Sequence, residues 1–495
     1  MAAIALSSVA ALAVSMGPSR DASAQGPAPA PASAPAAAGT PDGQSILDGL
    51  SVPAGATRPL PKIAVLPSLA AAMEDVTLRG VVRRDLDLSG EFEVLADSAA
   101  PEGLYLDGTP VDVKAWAAKG AEAVVKVSGR KISDTKAELR GQAYFVNMGE
   151  QPVFDKKFEV PLDDVRLESH RIADLIIGAL TGQNGGFASR MVFASGSGTL
   201  RRAFVIDADG HDAKPISPTT QIALAPAFGP GQEPFWTGSV NKDVYRIYRA
   251  TSPTPVKTNI DGSVYGLAFS ADKTKVAAAI GQGKTINLFE GPSLDALKPA
   301  SSVGMALRPA YSPTGKLAFA GEGKFGQRIW VDGKPVSPDG LFASAPTFCK
   351  NPDGIRIIYA VGVGKNTDLV ATGETGGGTY RLTQNQGSNG YPACSPDGRL
   401  VAFFSTRKGG EGPGLYVMRL DGGRPKRVST LLGDSLRWEL LPPGKGVEKG
   451  GGGGGAAPKP ATPAPAPATP APPGPSGSAK PAAPAPAPAP GPAKK

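Results

Sequence analysis

The sequence predicts an α/β N-terminal domain followed by an all-β six-bladed propeller, and three observations predict it. Helical and strand periods alternate between residues 61 and 186. The stretch from 187 to 445 repeats a strand-rich unit without a convincing helix. The two ends of that repeat region also complement each other, as a ring closed by both chain ends requires.

The first domain opens on "KIAVL", Lys62 to Leu66, a strand. Glu74 to Leu88 follows as a helix, with Leu78, Val81, Val82 and Leu86 on one face and Gly90 as its stop. "FEVL" from Phe92, a short helix around Asp112 to Ala118 and "AVVKVSGRK" from Ala123 continue the alternation. "AELRGQAYF" and "VFDKKFEV" then read as consecutive strands before a closing helix. Mixed elements at this density make a compact α/β domain.

That helix lies in "ESHRIADLIIGALTGQNGGFASRMVFAS", Glu168 to Ser195. Ile172, Leu175, Ile176 and Ala179 form its apolar stripe, while Glu168, Arg171 and Asp174 point elsewhere. Gly182 follows the last periodic residue, where glycine takes a left-handed C-cap at least cost. Met191-Val192-Phe193 then starts a strand, so the segment reads as a domain boundary. His170, one of two histidines in the chain, sits off the stripe with no cysteine or second histidine nearby. It is expected at the surface or as a capping residue, not as a ligand or base.

The repeat is a small or proline residue, an aromatic, a Ser-Pro-Asp-Gly-like turn and a strand. Its copies are "APAFGPG" at Phe228, "GLAFSAD" at Phe269, "RPAYSPTG" at Tyr311, "APTFCKNPDG" at Phe348, "YPACSPDG" at Cys394 and "SLRWELLPPG" at Trp438. A step of roughly 40 residues is the length of one four-stranded blade. The sixth copy lacks its outer strands. Arg190 to Ser217 aligns with Arg399 to Ser429 and supplies them from the front of the region. The helix must therefore stop at Gly182, because Met191 begins a ring-closing strand.

The flanks are expected to carry no fold. Residues 2–16 are an apolar run too short for a membrane span, and Ala22-Ser23-Ala24 is a small-residue cleavage pattern. We expect residues 1–24 to be a signal peptide, with the start upstream because no Lys or Arg precedes the run, and the mature chain to begin at Gln25. No lipobox cysteine accompanies it. Residues 25–60 read as an Ala/Pro-rich linker with one short candidate strand, and residues 446–495 as a disordered Gly/Pro/Ala-rich tail. The tail's five lysines from Lys449 onward account for much of the +8 net charge, so the body is close to neutral. That excludes the clustered basic face a nucleic-acid binder needs.

Cys349 and Cys394 both fall in apolar inner-strand settings, where free buried thiols are the expectation. "GEGKFG" at Gly321 and "AAIGQGKT" at Ala278 imitate nucleotide loops, but no helix follows either, so both read as hairpins. "DADGHD", Asp207 to Asp212, imitates a calcium loop without its distal acid and reads as a strand turn. With no Gly-x-Ser-x-Gly elbow and two scattered histidines, the sequence offers no catalytic constellation, cofactor site or metal site.

"VVRRDLDLSGEFEVL" (Val81 to Leu95), "AWAAKGAEAVVKVSGR" (Ala115 to Arg130) and the "HRIADLIIGALTGQNGGFASRMVFAS" junction resemble the TolB family of the Tol-Pal system in order and spacing. The resemblance spans about Pro61 to Pro442 and is looser in the blades. It implies a non-enzymatic periplasmic adaptor that supports outer-membrane integrity and constriction at cell division. The implied partners are the peptidoglycan-associated lipoprotein Pal, at the propeller, and TolA, through the extreme N-terminus. "SILDGLSV", Ser45 to Val52, is the candidate TolA segment. Other outer-membrane proteins or peptidoglycan are possible partners of the tail. The competing classes are a secreted propeller-containing peptidase and a cell-wall glycan-binding module.

In a propeller the loops leading into the innermost strands gather around one mouth of the central channel. Here those loops are expected at 222–225, 263–265, 306–308, 342–345, 389–391 and 434–437. The candidate partner-binding residues are Ser263, Tyr265, Leu307, Arg308, Ser344, Asn389, Tyr391 and Arg437. Tyrosine and arginine are the residue types that most often carry interface energy, and the resemblance implies that Pal docks at this mouth.

Overall fold

A computed structural model describes residues 49–51 and 59–442, apart from 71, 104, 325 and 364. The expected signal peptide, most of the linker and the tail lie outside the described residues, and of Ser45–Val52 only Gly49 to Ser51 is included.

The α/β part is a five-stranded sheet in the order β2-β1-β3-β4-β5. Its strands are β1 (Lys62–Val65), β2 (Glu93–Val94), β3 (Ala123–Lys131), β4 (Lys136–Phe145) and β5 (Phe154–Pro161). β1 runs parallel to β2 and β3, while β3, β4 and β5 form antiparallel ladders. Three helices cover it: α1 (Met73–Leu88), α2 (Val113–Ala118) and α3 (Val165–Thr181). The period-2 alternation of β1 sorts its side chains. Ile63 and Val65 pack under α1 and α3 with Leu78, Val82, Ile172 and Ile176. Ala64 and Leu66 pack under α2 with Trp116. Each such buried Ile, Val or Leu side chain stabilises the fold by about 1.5–3 kcal/mol.

The helix ends are held locally. Asp75 in the first turn of α1 accepts the N–H groups of Leu69 (2.9 Å), Ala70 (3.1 Å) and Gly129 (2.9 Å). A Cβ at position 129 would lie 2.8 Å from the Glu74 carbonyl, so only glycine lets β3 pass this close to the helix start. Asp112 caps α2 by accepting the Ala115 N–H at 2.9 Å. Gly182 ends α3 in the left-handed conformation, φ +85°, with its N–H on the Gly178 carbonyl at 2.8 Å.

Beyond α3, six four-stranded sheets form among the described residues. Their innermost strands are Ile222–Phe228, Ser263–Phe269, Leu307–Tyr311, Phe342–Asn351, Asn389–Cys394 and Asp434–Leu440, numbered here as blades one to six. Each innermost strand packs against the next, and the sixth against the first, so the ring is closed. The closure is the one expected from the repeat. Asp434–Leu440 pairs antiparallel with Ser189–Ser195, which pairs in turn with Arg202–Asp207. Trp438 locks the seam: its indole N–H donates to Ser189 Oγ at 2.7 Å. The "AAIGQGKT" and "GEGKFG" segments lie in strand–turn–strand hairpins. Asp207 to Asp212 is a strand turn, with the Gly210 N–H on the Asp207 carbonyl at 2.9 Å.

Three expectations are corrected. His170 is buried, as are Glu168 and Asp174 on the polar side of α3. The apolar stripe faces the sheet, but the propeller covers the opposite side, so both sides of the helix are enclosed. The apolar cluster is continuous across the junction, joining Ile177 and Phe187 to Met191, Phe193 and Trp438. Second, Cys349 and Cys394 are not free thiols. They form a disulfide with Cα atoms 5.3 Å apart, joining the innermost strands of blades four and five. Third, the segments expected as loops at the channel mouth belong mostly to the innermost strands themselves.

Of the N-terminal segment, Leu50 packs on the apolar cluster of blades three and four. The Ser51 carbonyl accepts the N–H of Arg381, in the outermost strand of blade four, at 2.9 Å.

Candidate functional site

Each innermost strand carries a register break near its start, between Leu224 and Ala227 in blade one and at the equivalent place in the other five. A bulge re-aims the residue it leaves unpaired. Ala225, Arg308, Ala345, Tyr391 and Ser435 sit at these breaks with φ of 43°, 55°, 53°, 55° and 55°, a region L-residues seldom occupy. Together with Tyr265 they line one pocket at the channel mouth. Six blades thus each contribute a residue to one small site.

The structure brings four of the eight sequence-predicted residues into that lining: Tyr265, Arg308, Tyr391 and Arg437. The Arg308 guanidinium stacks 4.4 Å above the Tyr391 ring, and its Nη2 donates to the Tyr391 hydroxyl at 3.4 Å. Arg437 donates to the carbonyls of Pro309 (2.8 Å) and Leu436 (3.2 Å). Its remaining surface faces the channel rather than bulk water. Burial, and then the like charge of Arg308, push its pKa down to about 10. Tyr265 is exposed, with Tyr245 beside it at 5.8 Å between ring centroids.

The other four do not line the pocket. Ser263 Oγ accepts the Tyr245 N–H at 3.3 Å, and Leu307 and Ser344 are half-buried on their strands. Asn389 is fully buried and turned towards the Gly387 carbonyl and Asp368, part of a blade-four network with Arg381 and Thr383. Reading the segment as a loop missed this, because the register break between Gly390 and Ala393 re-aims Tyr391 while Asn389 stays in the ladder. Ala225, Ala345 and Ser435 were missed too. A signal for two of them exists in the Ala225-Pro226 and Ala345-Pro346 steps, which repeat the pattern of Arg308-Pro309 and Tyr391-Pro392.

A second polar group lies where α3 meets the propeller. His170 Nδ1 bonds Asp85 Oδ2 at 2.6 Å, and His170 Nε2 faces Asp209 Oδ1 at 4.0 Å. Arg166 binds Asp209 and, at 3.2 Å, Asp207. Burial pushes Asp85 up to about 6 against the pull of His170. Burial also opposes a charged His170, but the Asp85 carboxylate outweighs it and raises the imidazole above its ordinary value. Asp174 accepts the N–H groups of Phe187 (2.7 Å) and Ala188 (2.9 Å), yet burial takes it to about 7. The three ligand-type side chains Asp85, His170 and Asp209 are close enough to hold an ion, but Arg166 already occupies Asp209. The arrangement is an ion network tying α1 and α3 to the Asp207–Asp212 turn.

Fold and site together define an α/β domain packed on a closed six-bladed propeller, with a channel mouth built from all six blades. Proteins similar to this chain include several that carry the TolB name. Residues 49–151 match the family model described as the TolB amino-terminal domain. The Tol-Pal system protein TolB of Albidiferax ferrireducens is 32% identical over 154 residues, 31% of this chain and 35% of that protein. That of Polaromonas naphthalenivorans is 28% identical over 169 residues, 34% of this chain and 38% of the other. These alignments span little more than a third of the relatives' own length. The crystal structure of TolB from Acinetobacter baumannii covers 77% of this chain and 97% of its own, with a TM-score of 0.61 at 21% identity, and shares the fold. The resemblance to TolB read from the sequence is borne out. No helix among the described residues is long and apolar enough to cross a membrane.

Proposed function

We propose that this chain is a non-enzymatic periplasmic adaptor of a Tol-Pal-type system, and that it docks a Pal lipoprotein at the channel mouth. The observation that carries the reading is the convergence of Tyr265, Arg308, Tyr391 and Arg437 from four blades on one pocket. Aromatic and arginine anchors grouped at the centre of a surface are the composition of interface hot spots. Coupling to TolA would fall to the segment around Ser45 to Val52, and the whole would serve outer-membrane integrity and constriction.

The test is calorimetric titration of the full chain with the soluble domain of Pal. Tyr265→Ala combined with Arg308→Ala should weaken binding by at least ~2 kcal/mol, about 30-fold, with the Tm unchanged. Undiminished affinity in the folded double variant would move the docking surface elsewhere.

A further inference from the structure

The channel carries more positive charge than it neutralises. Arg308 and Arg437 both line the mouth pocket, and Arg437 also lines the cavity at the other end of the channel. Glu439 is the acid in that second cavity, and Lys273 already holds it through both carboxylate oxygens at 2.5 and 2.7 Å. Asp434, at the start of the same strand, is paired with Arg201. Glu439 attracts Arg437 through space, but both its oxygens are taken by Lys273, so neither guanidinium has a carboxylate hydrogen-bonded to it. Arg437 is satisfied only by backbone carbonyls, and Arg308 Nη1 is buried with no hydrogen-bond partner at all.

Two like charges side by side in a poorly solvated tunnel are costly unless a counter-charge joins them. The hydrogen bond from Arg437 to the Pro309 carbonyl fixes the two as neighbours. Each is delivered by its own blade through a register break, and Arg308 by a left-handed backbone. The cavity between them is small, about 20 Å³, room for roughly one water-sized group. It suits the tip of a single side chain rather than a loop. A planar carboxylate matches the fork of guanidinium donors, and the Tyr391 hydroxyl beside it supplies a further polar contact.

We propose that the channel mouth is a carboxylate receptor, in which Arg308 and Arg437 together take one acidic side chain presented by the docking partner. This rests on the mouth being the docking surface, and it names the chemistry that the surface reads.

The probe is sodium acetate, exchanged for sodium chloride at constant ionic strength. The reporter is the arginine Nε–H spectrum of the full-length chain. Wild type should show a saturable shift of the Arg437 signal with acetate and none with acetamide. Arg308→Gln, at the half-buried position, should weaken the acetate response at least ~10-fold. Arg437→Met should abolish the acetate shift of the Arg308 signal; if that variant does not fold, Arg308→Gln decides. No saturation by acetate, or an equal response to chloride, would overturn the proposal. The Pal titration separates the two readings. Binding of Pal that survives Arg308→Gln undiminished overturns the receptor and leaves the adaptor standing. Saturation by acetate without binding of Pal supports the receptor and removes the adaptor reading.

Discussion

His170 Nδ1 lies 2.6 Å from Asp85 Oδ2, joining α3 to α1 beneath the propeller with both side chains out of water. Neither group has an alternative partner of comparable quality. Asp85 Oδ1 and His170 Nε2 make no hydrogen bond of their own.

His170→Leu would leave the buried Asp85 carboxylate without its hydrogen-bond partner and close to the like charge of Asp209. The expected cost is about 3–5 kcal/mol, the usual penalty for orphaning one member of a buried pair. Adding Asp85→Leu should restore much of the loss, because two apolar groups no longer demand solvation. Urea unfolding of the single and double variants checks both statements, and equal stability of the two variants would deny the coupling.

Stability should fall as pH rises towards neutrality. Asp85 and Asp174 bind their protons more tightly folded than unfolded, from 3.8 up to about 6 and about 7, and His170 is raised in the same sense. Between pH 3.8 and about 7 the folded chain therefore holds more protons than the unfolded one, and stability declines through that window. Asp209 opposes this only in acid: burial works against its carboxylate, but His170 and Arg166 hold its pKa below 3.8. Its contribution is thus present above 3.8 and lost below it. Urea midpoints measured from about pH 5 to about pH 8 should drop, and Asp174→Asn should flatten the slope.

Cys394→Ser should destabilise the propeller. The bridge closes a loop of 45 residues, for which chain entropy gives about 4 kcal/mol. Unfolding with and without reductant should separate by a similar amount in wild type and not in the variant.

Trp438→Ala removes the indole that joins the sixth innermost strand to Ser189. A large-to-small change at so buried a site costs about 3–5 kcal/mol. The loss should appear in the cooperative unfolding of the whole body, since the same apolar cluster runs into the α/β domain.

The repeat, the ring closure and the Gly182 stop were legible because each is a local pattern: a recurring turn, a complementary pair of ends, a glycine after a periodic stripe. The burial of His170 was not. Helical periodicity registers an apolar face, whereas the second covered face of α3 is polar and satisfied by Asp85, Asp209 and two backbone amides. The disulfide was hidden for a related reason, since Cys349 and Cys394 sit on different blades and meet only once the ring has curled. At the mouth, Arg308 and Tyr391 were legible by residue type alone, as an arginine and a tyrosine near the start of an innermost strand. Asn389 was misplaced because a bulge, invisible to alternation, turns Tyr391 into the channel and leaves Asn389 in the ladder.

Joining the ring with both ends of the repeat also has a kinetic side. Ser189–Ser195 has one neighbour, Arg202–Asp207, as soon as it emerges, but its other neighbour is not synthesised until residue 440 has appeared. For that interval the nascent chain displays an open strand edge that carries Met191 and Phe193 of the apolar cluster. Such an edge invites pairing with other chains. Synthesis must therefore run nearly to completion before the molecule can protect itself, so a holdase acting on this protein would have to stay on past the fifth blade.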